Sequence, residues 1–208
     1  HNGIDTSIDM MFGLPSQSIK DLDADLDYVT ECRPEHISFY MFTVAPVYEY
    51  FSICPSEHVI DKMFNKIHKK LSASGYIHYE VSNFCLPNKE SKHNSAYWEY
   101  LSYVGIGAGA HSFLEDKKIR RWNKSDIGAY INDPTTCYET EELDGDKIKR
   151  EKIMLGLRLL QKGIGEELLD AQMVQQLFDR GYLDRKNGKI LINIKAVPIM
   201  DEIILKLS

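Results

Sequence analysis

No stretch of this 208-residue chain approaches the roughly 18 consecutive apolar residues that a membrane-spanning helix requires. Its first residues also lack the charged-then-apolar pattern of a secretory signal. The sequence therefore reads as a soluble, cytoplasmic protein with no transmembrane segment. Basic excess is missing too: 25 Lys and Arg against 31 Asp and Glu leave a net charge of -6. Nucleic-acid binding normally shows as a basic surplus, so none is expected. The short basic runs "KIHKK" and "KKIRR" are of the kind that solvated helix faces and loops carry. Cysteine is sparse and scattered, at Cys32, Cys54, Cys85 and Cys137. With no CxxC or CxxxC pair, neither a zinc knuckle nor a cluster-binding loop can be written from them, and they read as buried free thiols. No internal repeat or low-complexity tract is present.

What is present has the rhythm of an α/β protein. "TSIDMMF" is a β-suited run stopped by Gly13 and Pro15. Ile19, Leu22, Leu26 and Val29 then fall at helical spacing, with Ser16 or Ser18 as cap and Pro34 as terminator. The strand "HISFYMFTV" follows. Strand, helix and strand make a βαβ unit, which belongs to a parallel sheet. Val59, Met63, Ile67 and Leu71 stripe a second helix that ends at Gly75, and "YIHYEVSNF" is a third strand candidate. After residue 125, "DKIKREKIMLGLRLLQKG" and "EELLDAQMVQQLFDRG" read as amphipathic helices. "GKILINI" reads as a strand after an Asn187-Gly188 turn, and "VPIMDEIILKLS" as a last helix with Pro198 in its first turn. These suggest a small helical or winged-helix module, and the acidic, apolar-poor "ETEELDGD" marks the boundary. The expected domains are residues 1–140 and 141–208. Because only "HNGID" precedes the first strand, the sheet has no beginning, and the chain reads as part of a longer protein.

Several segments could carry chemistry. In "YVGIGAGAHSF", Gly105, Gly107 and Ala110 satisfy a dinucleotide-loop spacing, but "HSFLEDKKIRRWN" is no phosphate-binding helix. The glycines point instead to close backbone approach. His93 and His111 are lone histidines; the sequence contains no paired ligands of zinc type, whereas haem needs only one axial histidine. In "ESKHNSAYWEY", His93 and Tyr97 stand at i and i+4 of a helix, beside Trp98. Either an aromatic packing corner or a surface for a flat ligand fits that pattern. Asp9 interrupts an apolar strand, where a buried carboxylate must find a donor or a ligand.

Taken in order, "SIDMMFGLPSQS", "HISFYMFTVAP", "GYIHYEVSNFCLP", "HNSAYW", "YVGIGAGAHS" and "RRWN" resemble the second half of the HemW-type haem chaperones. These are relatives of oxygen-independent coproporphyrinogen III oxidase in the radical SAM superfamily. The resemblance covers residues 3 to 135 strongly and the tail weakly. It implies the C-terminal part of a partial (βα)6 barrel followed by a small helical domain. Family members bind a [4Fe-4S] cluster through an N-terminal CxxxCxxC loop, and S-adenosylmethionine at its open iron. This sequence holds no such loop, so those two cofactors are expected only in a full-length parent, and the chain alone is expected to be inactive. By the same resemblance Asp9 and Thr43 fall beside the S-adenosylmethionine site. "HNSAYW" matches the motif HNxxYW, which sets the chaperones apart from the oxidase. His93 becomes the axial-ligand candidate, and so the candidate metal ligand, with Asn94, Tyr97 and Trp98 around it.

Three functions remain open on these grounds. One is a haem chaperone delivering haem to acceptor proteins in the cytoplasm or at the membrane surface. The second is the oxidase of porphyrin biosynthesis. The third is a non-catalytic structural or dimerising module, for which unpaired strand edges favour homo-oligomers.

Overall fold

A computed structural model describes residues 4–208; residues 1–3, the start of the "HNGID" lead, lie outside the described residues. Strand β1 (Ser7–Phe12), helix α1 (Ile19–Cys32) and strand β2 (His36–Met41) form the expected βαβ unit, with β1 and β2 parallel. Ser18, not Ser16, caps α1, in a reciprocal box with Asp21, which satisfies two amides that a helix start leaves unpaired. Ser16 instead takes a positive φ and donates its N–H to the Ile53 carbonyl, in a 3-10 turn over Glu49–Ile53.

Helix α2 (Glu57–Ala73) leads to β3 (Ile77–Glu80), and the expected third strand folds back on itself at Val81 and Ser82 into β4 (Asn83–Cys85). The sheet order is β1-β2-β4-β3, with β4 antiparallel to both neighbours. A period-two pattern cannot reveal such a reversal, because the run has no glycine or proline to mark it.

Period two gives this sheet two unlike faces. Ile8, Met10, Phe12, Ile37, Phe39 and Phe84 pack against Leu22, Leu26 and Val29 of α1 and Met63, Ile67 and Leu71 of α2. Burying each such side chain is worth about 1.5–3 kcal/mol. The opposite face is polar: Asp9 stands beside Ser38, Ser38 beside Asn83, and Asn83 beside Glu80, a single row crossing all four strands.

Helix α3 (Lys92–Trp98) follows, then an antiparallel sheet of β5 (His111–Leu114), β6 (Ile119–Asn123) and β7 (Tyr138–Glu142), with α4 (Ile127–Asn132) between the last two. The first half of the acidic stretch read as a boundary, Glu139 to Glu142, is therefore a strand. Its glutamates Glu139, Glu141 and Glu142 lie opposite Trp122, Arg120 and Ile119, and the opposite-charge pair Arg120 and Glu141 suits an exposed edge strand.

The C-terminal segment comprises α5 (Gly145–Gly156), β8 (Ile164–Gly165), α6 (Ala171–Asp179), the hairpin β9 (Leu183–Lys186) and β10 (Lys189–Ile192), and α7 (Met200–Leu207). Asn187 and Gly188 both have positive φ, as a two-residue hairpin turn requires. Pro198 lies in a 3-10 turn just before α7. Phe64 and Val81 of the first unit pack against this core. Among the described residues no helix is long and apolar enough to cross a membrane.

Candidate functional site

The polar face of the four-stranded sheet opens as a groove of about 380 Å³, lined by Ser7, Asp9, His36, Ser38, Ser91 and Asn94 among others. Lys89 at its rim bonds both carboxylate oxygens of Asp5, at 2.7 and 2.8 Å. That bond holds the ammonium pKa above its ordinary value. Asp9 is exposed here, which corrects the expectation of a buried strand carboxylate. Ile8, Met10 and Phe12 of "SIDMMF" sit at the even positions and turn toward α1 and α2, so Asp9, on the other face, meets water.

In the wall of the groove lies His36, its Nδ1 2.9 Å from Ser7 Oγ and its Nε2 2.9 Å from the Tyr79 hydroxyl. Burial lowers its pKa, and the charge of Asp9 opposes that. Glu80 and Asn83 end the polar row, almost fully buried. Burial raises the Glu80 carboxyl to about 7, against the lowering effect of backbone N–H groups at Ser82 and Asn83, the Asn83 side chain and Arg158.

Helix α3 carries the histidine motif. Ser91 caps it by accepting from the Asn94 N–H at 3.3 Å. His93 is exposed on its first turn, its Nε2 3.0 Å from the Tyr97 hydroxyl and the two rings edge to face with centroids 4.8 Å apart. Tyr97 in turn meets Tyr103 edge to face at 4.5 Å. Trp98 lies under the Arg158 guanidinium at 5.7 Å, its indole N–H buried without a hydrogen-bond partner among the described residues. The motif is thus half packing corner and half open surface: Tyr97 and Trp98 turn into neighbours while His93 faces out.

The groove gathers Asp9 and Asn94, whereas Thr43, His93, Tyr97 and Trp98 are not part of its lining. Thr43 is exposed two residues beyond the end of β2. His111 opens β5 and stacks on Trp122, centroids 6.1 Å apart. In the glycine-rich segment a Cβ on Gly105 would collide with the His111 carbonyl oxygen, so close backbone approach accounts for that glycine. A strand, not a helix, follows.

Sequence reasoning passed over Ser7, His36, Ser38 and Tyr79, although polar residues at alternate positions in "SID" and "HIS" signal a polar sheet face. The four cysteines lie apart in α1, the 3-10 turn region, β4 and the approach to β7. Cys85 and Cys137 are buried, but Cys32 is exposed and Cys54 half-buried, which corrects the uniform buried-thiol expectation. Burial pushes the Cys85 thiol up to about 12. Among the described residues no three His, Cys, Asp or Glu side chains are placed to hold a metal ion together. The residues present do not fit an iron-sulfur cluster, but an exposed imidazole fits the one-ligand demand of haem.

A mixed sheet with its helices on one face and its polar groups on the other defines the chain as an α/β protein. The fold matches that of coproporphyrinogen III oxidase (HemN) from Escherichia coli, a radical SAM enzyme, with a TM-score of 0.73 at 17% identity over 97% of this chain and 54% of that one. The chain is also similar to heme chaperone HemW of Buchnera aphidicola from Schizaphis graminum, 30% identical over 90% of this chain and 56% of the relative. HemW of Escherichia coli is 35% identical over 57% of this chain and 33% of its own. For HemW of Bacillus subtilis the figures are 32%, 73% and 42%. No protein-family model matches. The chain belongs to the HemW-type, HemN-like radical SAM family and spans about half the length of the curated relatives it matches.

Proposed function

We propose that this chain is the haem-holding part of a haem chaperone, which passes haem to acceptor proteins in the cytoplasm or at the membrane surface. The observation that carries the reading is the placement of His93: an exposed imidazole on the first turn of α3, within the "HNSAYW" motif, beside the aromatic edge of Tyr97. His93 supplies an axial nitrogen, Tyr97 and Trp98 supply flat apolar contact, and Asn94 a polar group nearby. Bound haem would bring an iron centre for ligation. The protein's own part is to offer one nitrogen and keep the ring oriented through the Tyr97 hydroxyl. S-adenosylmethionine, if bound on this face of the sheet, would be held in part by Asp9, whose carboxylate can accept hydrogen bonds from ribose hydroxyls, with Thr43 near that site.

Haem titration followed in the visible spectrum tests this. His93→Ala is expected to abolish or shift the Soret band, whereas Tyr97→Ala and Trp98→Ala weaken binding without changing the ligation signature. His111→Ala is the control. If the His93 and His111 variants are both folded and both indistinguishable from the unmodified chain, the haem reading fails; loss through His111 alone moves the ligand to the "GAGAHS" segment.

A further inference from the structure

Helix α3 is seven residues long and none of them is fully buried. A helix that short does not persist on its own propensity, so its direction depends on what ties it down. At its C-terminal end Tyr97 meets Tyr103, and Lys162 pairs with the C-cap residue Glu99 on the surface. At its N-terminal end a chain of hydrogen bonds runs into the sheet. The Ser91 N–H donates to the Tyr79 hydroxyl oxygen at 3.3 Å; that hydroxyl is 2.9 Å from His36 Nε2; and His36 Nδ1 is 2.9 Å from Ser7 Oγ. Tyr79 and His36 are buried, their rings 5.8 Å apart.

The polarity of this chain follows from its ends. A backbone N–H can only donate, so the Tyr79 oxygen accepts from Ser91 and its single proton is free to go to His36 Nε2. His36 then keeps its own proton on Nδ1 and gives it to Ser7 Oγ. Every buried group finds a partner in this arrangement, which is what burial demands.

We propose that His36 and Tyr79 are positioning residues, a buried strut that runs from β1 through β2 and β3 to the cap of α3 and sets the direction in which His93 is presented. The strut acts through Ser91 and touches no ligand of His93. This deepens the haem reading and rests on it for its functional meaning, while the strut itself is read without haem.

The test has three arms. First, ring nitrogen shifts of His36 in the unmodified chain at neutral pH are expected to report the neutral form with hydrogen on Nδ1; hydrogen on Nε2 would overturn the strut. Second, amide exchange over residues 91–95 is expected to quicken roughly five- to tenfold in Tyr79→Phe, the size of one lost hydrogen bond, with β6 unchanged. His36→Leu is expected to do the same and His36→Gln, whose amide oxygen can accept from Tyr79, to restore it. Unchanged exchange in Tyr79→Phe sinks the proposal. Third, in haem titration Tyr79→Phe and His36→Leu are expected to weaken binding roughly tenfold while the Soret position, which the axial ligand sets, stays put; a moved Soret band would count against a purely positioning role. Should the unmodified chain bind no haem, the haem reading falls and the first two arms still decide the strut. Should a variant fail to fold, the ring nitrogens of the unmodified chain decide it.

Discussion

The C-terminal segment and the middle of the chain are built on opposite principles. Among the described residues, 153–207 enclose a core of fifteen buried side chains, among them Ile153, Leu157, Leu177, Ile190 and Ile203, whereas the core cluster of the middle segment has three, Tyr100, Phe113 and Leu143, with Tyr103, Ile148 and Leu155 partly buried against them. In place of apolar volume the middle has polar order. Arg120 grips Glu151 through two bonds of 2.7 and 2.9 Å, Tyr100 donates to the same carboxylate at 2.9 Å, and Arg121 lies 4.2 Å over the Tyr138 ring. The candidate haem motif belongs to the polar-ordered half. Apolar packing is insensitive to direction, while hydrogen bonds and ring edges fix orientation, so the division gives strength to one part and aim to the other.

The contrast can be broken from its strong side first. Leu177→Ala empties part of the C-terminal core and is expected to cost about 2–5 kcal/mol, seen as a large fall in the urea midpoint. Glu151→Ala should cost less, about 2 kcal/mol, because its network is only partly buried. Its signature is faster amide exchange in β5–β7 with the C-terminal helices unaffected; equal loosening of both would show that the two regions are not built differently.

A subtler effect concerns pH, where the first unit meets the C-terminal segment. His78 stacks on Phe84 at 3.9 Å, and its pKa is lowered by burial to about 3. The unfolded chain binds that proton more readily, so the stability contributed by neutral His78 is complete above about pH 6.5 and lost as pH falls toward 3. Glu80 behaves in the opposite sense: with its carboxyl raised to about 7, its contribution is complete below about pH 4.5 and lost as pH rises through 7. The two slopes oppose each other between about pH 4.5 and 6.5, where stability is expected to plateau. Glu80→Gln should remove the decline on the alkaline side, raising stability at pH 8 by about 1–2 kcal/mol in urea titrations. An unchanged alkaline limb would show that Glu80 ionises freely.

The smallest expected effect is on the exposed motif itself. His93→Ala should change stability by no more than about 0.5 kcal/mol while removing the axial nitrogen. A larger loss in thermal unfolding would mark His93 as a packing residue.

Much of the fold was legible because it rests on local signals. The stripe Leu22, Leu26 and Val29 specified α1, Asn187-Gly188 specified the β9–β10 turn, and the ordered motifs specified the family. The β3–β4 reversal at Val81 and Ser82 was not legible, since no glycine or proline marks it and the apolar alternation runs straight through, and β7 hid in an acidic run because its partners lie on another strand. For the site, the sequence by itself determined which residue types stand in "HNSAYW" and put His93 and Tyr97 on one helical face, because the helical repeat is a property of the backbone alone. Only the tertiary structure decided that Asp9 faces solvent, that His36 and Tyr79 meet across 43 residues and that α3 is tied to the sheet through Ser91. Those are contacts between segments far apart in the chain, and no periodicity within a segment encodes which polar group on another strand will be its partner.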